Sequence, residues 1–339
     1  MAVTLQTIKN DLAGGKIAPL YLIQGTDQYL MDQARKLFTQ MIPKDDQSMN
    51  LAQFDMGETP LGVAIDDARS IPFFGDRRVV IIDHASFLTG EQNKSKIEHN
   101  LDDLIEYVQH PEPQTVLVIV APYEKLDRRK KITKLLQEQS VHLSFGDLTE
   151  HDVSQLIAET VQAKSYQITP QAQQLLIRLT NLNLTQIMSE LDKLFLFAYA
   201  TKQIDDEMVR EVVTKTLSES IFDLIDFLLQ KRLSEAVSLY HQLIISGEEP
   251  LRLQGAMTSH FRLLLQVKAA TTSEQGTASA LKVHPYRVKL ASQTVRKFSY
   301  KSLAQAFLGL VDMEKQLKST ARDPELLFEL FVLKYKNAA

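Results

Sequence analysis

The chain has 339 residues, more than twice the usual single-domain length of about 150, so two or three hydrophobic cores are expected rather than one. Its apolar fraction of 44% and charged fraction of 24% exclude a disordered or fibrous chain, and 38 basic against 42 acidic residues exclude the all-over positive field of a non-specific DNA coater. With no cysteine, disulfides, thiolate zinc sites and thiol nucleophiles fall away together.

Residues Met1 to Gly15 carry Lys9 and Asp11 and lack the apolar stretch of a signal peptide. Further along, Leu194 to Ala200 is apolar but far short of the ~20 residues that span a bilayer. A cytoplasmic protein is therefore expected.

The first third alternates between two periods. Pro19 to Gly25 is a short apolar run closed by glycine, and Asp27 to Ile42 then places Leu30, Ala34, Leu37 and Phe38 at helical spacing. Val79 to Asp83 and Thr115 to Val120 are unbroken β-branched runs, as in strands buried on both faces of a parallel sheet. Val141 to Phe145 reads as a last strand. Helices between such strands predict a doubly wound α/β domain.

From Leu148 the strand signals stop. Thr149-Glu150-His151-Asp152 reads as a cap for a helix Val153 to Lys164, and Thr169-Pro170 opens another. Leu184 to Ala200 and Asp205 to Val213 follow as helices, and together these make a small all-α module. A second bundle begins past Leu217, where Ser220-Ile221-Phe222-Asp223 reads as a capping-box variant. Gly247-Glu248-Glu249-Pro250 ends one helix and starts the next, and Asp323-Pro324 caps the last.

A phosphate-cradling loop needs GxxxxGK[ST]. Here the first strand-to-helix turn reads Gly25-Thr26-Asp27-Gln28-Tyr29-Leu30-Met31-Asp32, without the second glycine, the lysine or the hydroxyl. Two carboxylates stand where phosphates would sit, so this turn is not expected to bind ATP productively. Val79 to Asp83 has the shape of a Walker B strand, but His84 replaces the second acid, and the segment is taken as scaffold. No two histidines are three or four residues apart, and no GxSxG elbow occurs. No catalytic or metal-binding constellation is found, and no cofactor is expected.

The most unusual feature is Ser70-Ile71-Pro72-Phe73-Phe74-Gly75-Asp76. Thr59-Pro60 starts a helix through Ala68, Pro72 disfavours helix at Ile71, and Gly75 permits a sharp exit, so two adjacent aromatics lie at a helix-to-strand corner. Both rings can turn inward to the sheet, or stand exposed. Adjacent rings rarely fit one inward face.

Two stretches have the charge to touch nucleic acid. Lys125, Arg128, Arg129, Lys130, Lys131 and Lys134 face Asp127 alone between 125 and 134. Residues 275 to 311 contain no acid and carry Lys282, Arg287, Lys289, Arg296, Lys297 and Lys301. His284 and Tyr286 lie at the start of that field and offer rings to stack on a base beside cations for phosphate. A solvated helix face is the better explanation of the first stretch, and a surface that meets an acidic neighbouring subunit explains the second equally well.

Tyr21-Leu22-Ile23-Gln24-Gly25 with its lysine-less turn, Ile71 to Val80, and Lys125 to Lys131 together resemble the delta subunit family of the bacterial DNA polymerase III clamp loader. The resemblance continues through Ile221 to Asp226, Gly247 to Arg252, His260 to Leu264 and His284 to Lys289, and is to the variant of Gram-positive bacteria. It implies an α/β plus all-α, AAA+-like architecture. Residues 1–146 would be a RecA-type domain without a functional ATP site, 147–213 a small helical, lid-like domain, and 214–339 a helical collar that joins a ring of subunits.

The implied task is to grip the sliding clamp (beta subunit) and open one of its interfaces for loading on primed DNA. The ATPase subunits (gamma/tau), with delta prime, would supply the nucleotide switch; the chain would be no enzyme by itself but a part of the polymerase III holoenzyme. Clamp-binding peptides follow the register Gln, apolar, small, Leu, Phe. Ser70, Ile71, Pro72, Phe73 and Phe74 match it except at Ser70, which cannot make the hydrogen bonds of a glutamine amide. Phe73 and Phe74 are then expected as exposed anchors, with Asp76, Arg77 and Arg78 beside them favouring the distorted clamp. Two rival classes remain: an active NTPase, which the broken turn opposes, and a stand-alone DNA-binding protein with a degenerate AAA+ fold.

Overall fold

The computed structural model describes residues 4–73, 75–90, 97–146 and 148–338, with positions 218, 337 and 338 described by backbone only. Internal contacts divide the chain into two units, Met1–Leu148 and Thr149–Ala339.

In the first unit the chain runs α1 (Leu5–Ala13), β1 (Leu20–Gly25), α2 (Gln28–Thr39), a single turn α3 (Gln47–Asn50), β2 (Leu51–Asp55), α4 (Leu61–Ala68) and β3 (Arg78–Asp83). It continues with α5 (Leu101–Gln109), β4 (Thr115–Ala121), α6 (Lys131–Gln139) and β5 (Val141–Phe145). The five strands form one sheet in the order β2-β3-β4-β1-β5. Every neighbouring pair is parallel.

Crossover helices cover both faces, so the inner strands have no polar face. All seven residues of β4 are buried, and Val79 to Ile82 in β3 are sealed. Leu22, Val80, Ile82, Leu117 and Ile119 pack against α4, α5 and α6 on one face. Ile23, Val79, Ile81, Val118 and Val120 meet α1 and α2 on the other. Each such side chain contributes about 1.5–3 kcal/mol by leaving water. The sequence runs read as β1, β3, β4 and β5 are all strands. β2 is an additional edge strand, whose mixed residues Leu51-Ala52-Gln53-Phe54-Asp55 are none of them fully buried.

The second unit opens with α7 (Glu150–Ala163), α8 (Pro170–Leu179), α9 (Leu184–Phe197) and α10 (Asp206–Val212). Thr149 and Asp152 close a reciprocal capping box at the start of α7. Strand structure does not stop at Leu148 as the sequence suggested: β6 (Gln167–Ile168) and β7 (Gln203–Ile204) form a two-residue parallel pair.

The remaining helices are α11 (Leu217–Leu229), α12 (Leu233–Ile245), α13 (Pro250–Ala269), α14 (Glu274–Leu281), α15 (Pro285–Val295), α16 (Tyr300–Ser319) and α17 (Pro324–Ala338). The cap of α11 differs from expectation. Thr216 is its N-cap, accepting from the Glu219 amide, so Ser220 lies inside the helix. Leu224, Leu228, Met257, Phe261, Leu303, Leu310 and Phe328 meet in one core.

Ion pairs join helices across this unit. Arg178 of α8 donates to buried Glu219 at 2.8 Å and to Asp223 at 3.3 Å, both on α11. Among the described residues, no helix is long and apolar enough to cross a membrane.

Candidate functional site

At the first strand-to-helix turn, the place of a phosphate is filled by the chain itself. Asp27 is the N-cap of α2, and its Oδ1 accepts from the Leu30 amide at 2.9 Å. A carboxylate thus sits on the helix N-terminus, where a free anion would otherwise be attracted. Gly25 has φ 155°, and a Cβ placed on it would lie 2.7 Å from the Phe145 Cβ, so β5 closes the turn from the other side. Asp83, at the end of β3, is held by the Arg35 guanidinium, which also bonds Asp32; both contacts are 2.7 Å. His84, with a left-handed φ of 55°, pairs with Asp55 at 3.0 Å. The carboxylates of Asp27, Asp32, Asp55 and Asp83 at this edge are thus each engaged with a neighbouring side chain or helix terminus. Among the described residues no group of three metal-ligating side chains occurs.

The helix-to-strand corner after α4 is different. Ile71 is 68% exposed and Phe73 76%, so two large apolar side chains stand in water side by side. The inward alternative for Phe73 is excluded. Phe74 lies outside the described residues. The corner is built by α4 ending at Ala68, whose carbonyl accepts from the buried Tyr107 hydroxyl at 3.3 Å. Ser70 turns its hydroxyl back to the Asp66 carbonyl at 3.2 Å, so this oxygen serves the end of the helix. Pro72 follows with its fixed φ and no amide hydrogen to satisfy.

Arg78 is not a free cation beside this prong formed by Ile71 and Phe73. Its guanidinium forks onto Asp67 at 2.7 and 2.8 Å and donates to the Met49 carbonyl at 2.6 Å. With a side chain only 11% exposed, it fastens β3 to α4 and α3, and the contact role read for it from sequence is corrected to a structural one. Arg77 is half-buried and Asp76 exposed. Met49, Ser70, Ile71, Pro72, Phe73 and Arg78 line a concavity of about 780 Å³ at the foot of the prong.

The basic stretches are only partly available. Arg129 is bound to Asp127 through both carboxylate oxygens, which holds that carboxyl down at about 2. Lys130 donates to the Phe87 carbonyl at 2.8 Å, and Lys125 pairs with Glu124 at 3.1 Å. Arg128 and Lys131 are exposed, and Arg128 adds to the burial that pushes the His142 imidazole down.

In the second unit, Tyr286 is 7% exposed and burial pushes its phenol up to about 12. A ring so enclosed cannot stack on a base. The stacking role read from sequence for Tyr286 is therefore corrected to a structural one, while His284, half-buried, is the N-cap of α15, its Nδ1 accepting from the Tyr286 amide at 3.2 Å. Lys289 is ion-paired with Glu150 of α7. Arg287, Arg296 and Lys297 are exposed.

Comparison with known proteins agrees with this layout. The family model for DNA polymerase III, delta subunit, matches residues 21–145, and the model for the C-terminal domain of the DNA polymerase III delta subunit matches 218–335. DNA polymerase III subunit delta of Bacillus subtilis (strain 168) is 36% identical over 326 residues, covering 95% of this chain and 94% of that one. A probable DNA polymerase III subunit delta of Aquifex aeolicus (strain VF5) is 22% identical over 257 residues, 74% of this chain and 70% of that one. The solved structure of the Bacillus subtilis DNA clamp loader delta protein superimposes with a TM-score of 0.76 at 34% identity, over 98% of this chain and 100% of that one. Two delta-subunit models matched in order, and a relative aligned over nearly the whole length, establish that this chain belongs to the DNA polymerase III delta subunit family.

Proposed function

We propose that this chain is the clamp-gripping subunit of a DNA polymerase III clamp loader, which binds the sliding clamp through Ile71, Phe73 and Phe74 and opens one interface of that ring. The observation that carries the reading is Phe73 standing 76% exposed on a corner whose backbone is tied down. An exposed phenylalanine is costly in water and gains most by entering a partner's pocket. Membership of the delta subunit family supports the sliding clamp as that partner. Ser70 adds no glutamine-like contact, so affinity rests on the apolar positions.

Gripping and opening are separate tasks. A ligand with equal affinity for closed and open rings shifts nothing, so contacts beyond the anchors, at Asp76 and Arg77, favour the distorted clamp. The self-capped turn at Asp27 fits a subunit that hydrolyses no ATP and leaves that work to the ATPase subunits (gamma/tau). On this reading residues 1–146 hold the clamp, 147–213 act as the lid-like domain, and 214–339 join the ring with delta prime and the ATPases in the cytoplasm. Arg287, Arg296 and Lys297 face primed DNA only within that assembly.

Size-exclusion chromatography of the chain with its own clamp tests the proposal. Co-elution of the wild type and its loss in the Phe73→Ala, Phe74→Ala double variant are expected. A folded double variant that co-elutes like the wild type overturns it.

A further inference from the structure

The prong is fastened from beneath by a residue sealed inside the fold. Asn50, the last residue of α3, is 1% exposed, and its Oδ1 accepts from the Phe73 backbone amide at 2.9 Å across twenty-three positions of sequence. Beside it the Met49 carbonyl receives Arg78, which follows the prong and is itself forked onto Asp67. One helical turn therefore holds the loop at both ends: the Asn50 side chain at Phe73, and the Met49 backbone at Arg78.

We infer that Asn50 is a positioning residue for partner binding: it fixes the backbone from which the Phe73 ring projects. The inference rests on reading the prong as the clamp-binding element. A buried amide is costly unless its hydrogen bonds are made, so a buried Asn directed at a surface loop has to be explained by what it holds. An exposed apolar loop without such a tether samples many conformers, including ones in which the ring folds onto its own surface. Docking then has to order the backbone, which weakens affinity although no contact is lost. Asn50 makes that ordering part of folding instead. Phe73, whose amide is pinned, also lines the concavity together with Met49 and Ile71.

The test compares Asn50→Ala with Leu136→Ala, which empties a buried position on α6 in the same unit. Clamp affinity is measured by titration at a temperature where circular dichroism shows each variant folded. Asn50→Ala is expected to weaken binding about tenfold, the equivalent of ordering one residue's backbone, and Leu136→Ala to lose stability without losing affinity. Unchanged affinity in Asn50→Ala, or the same loss in both variants, overturns the inference. Should Asn50→Ala not fold, amide exchange in the wild type decides: the Phe73 amide is expected to exchange more than tenfold slower than an unbonded loop amide, and unprotected exchange refutes the tether. A wild type that does not bind clamp at all overturns the clamp-gripping reading instead, whatever the exchange data show.

Discussion

Truncating Phe73 to alanine separates binding from folding. The residue is 76% exposed, and a phenylalanine carries about 200 Å² of surface, so about 150 Å² of apolar area is available to a pocket. At about 25 cal/mol per Å² its burial is worth about 3–4 kcal/mol, or a several-hundredfold change in Kd. The same exposure means that the fold gains little from the ring. Phe73→Ala is therefore expected to keep its unfolding free energy within about 0.5 kcal/mol of wild type. Calorimetric titration of the chain with its clamp, alongside a urea melt of each variant, reads both quantities. A Kd within threefold of wild type, with an unchanged melt, refutes the anchor role. Equal losses of stability and affinity place the ring in the core instead.

Three further outcomes follow from particular contacts. Gly25→Ala puts a methyl group 2.7 Å from the Phe145 Cβ at a φ of 155°, and is expected to cost more than about 2 kcal/mol in a denaturant melt; a loss under 0.5 shows that the turn can yield. His260, whose Nε2 is sealed from solvent, has its imidazole held down to about 4 by burial and by nearby Arg287, against 6.5 when unfolded. The unfolded chain then takes up the proton first, so this contribution is intact above pH 6.5 and falls by about 3 kcal/mol as the pH drops to 4. His260→Leu is expected to lose that part of the pH dependence, and identical slopes in the two proteins refute the assignment. In the assembled loader, Arg296→Ala with Lys297→Ala is expected to reduce the salt slope of DNA binding by about 2, measured by titration at several salt concentrations. An unchanged slope removes that region from the DNA path.

The α/β unit was legible because its inner strands have no polar face. Val116 to Val120 is an unbroken apolar run rich in β-branched residues, as a strand sealed on both sides requires, and Asp27, Thr149 and Asp323 are residue types that cap helix starts. The edge strand β2 was missed because Gln53 and Asp55 interrupt its apolar pattern where one side meets water. The β6–β7 pair has two residues per strand, too few to show a period.

At the corner, sequence located the aromatics and could not orient them. Arg78 looks like a free surface cation until Asp67 and the Met49 carbonyl are brought to it by the fold. Asn50 carries no sequence signal at all, since its partner is a backbone amide far along the chain. Tyr286 misled for the opposite reason. An aromatic flanked by cations suggests stacking, but Tyr286, Val288, Ala291 and Val295 are the buried residues of α15, and that helical spacing was the signal to follow.

The carboxylate of Asp27, seated on the first turn of α2, has a consequence for timing. Nucleotide-dependent machines alternate because a γ-phosphate arrives at such a turn and later departs, and each event resets the surfaces around it. A permanent side-chain occupant never departs. The N-terminus of α2 therefore carries its countercharge in the polypeptide at every moment, and no arriving or departing anion is needed to complete it.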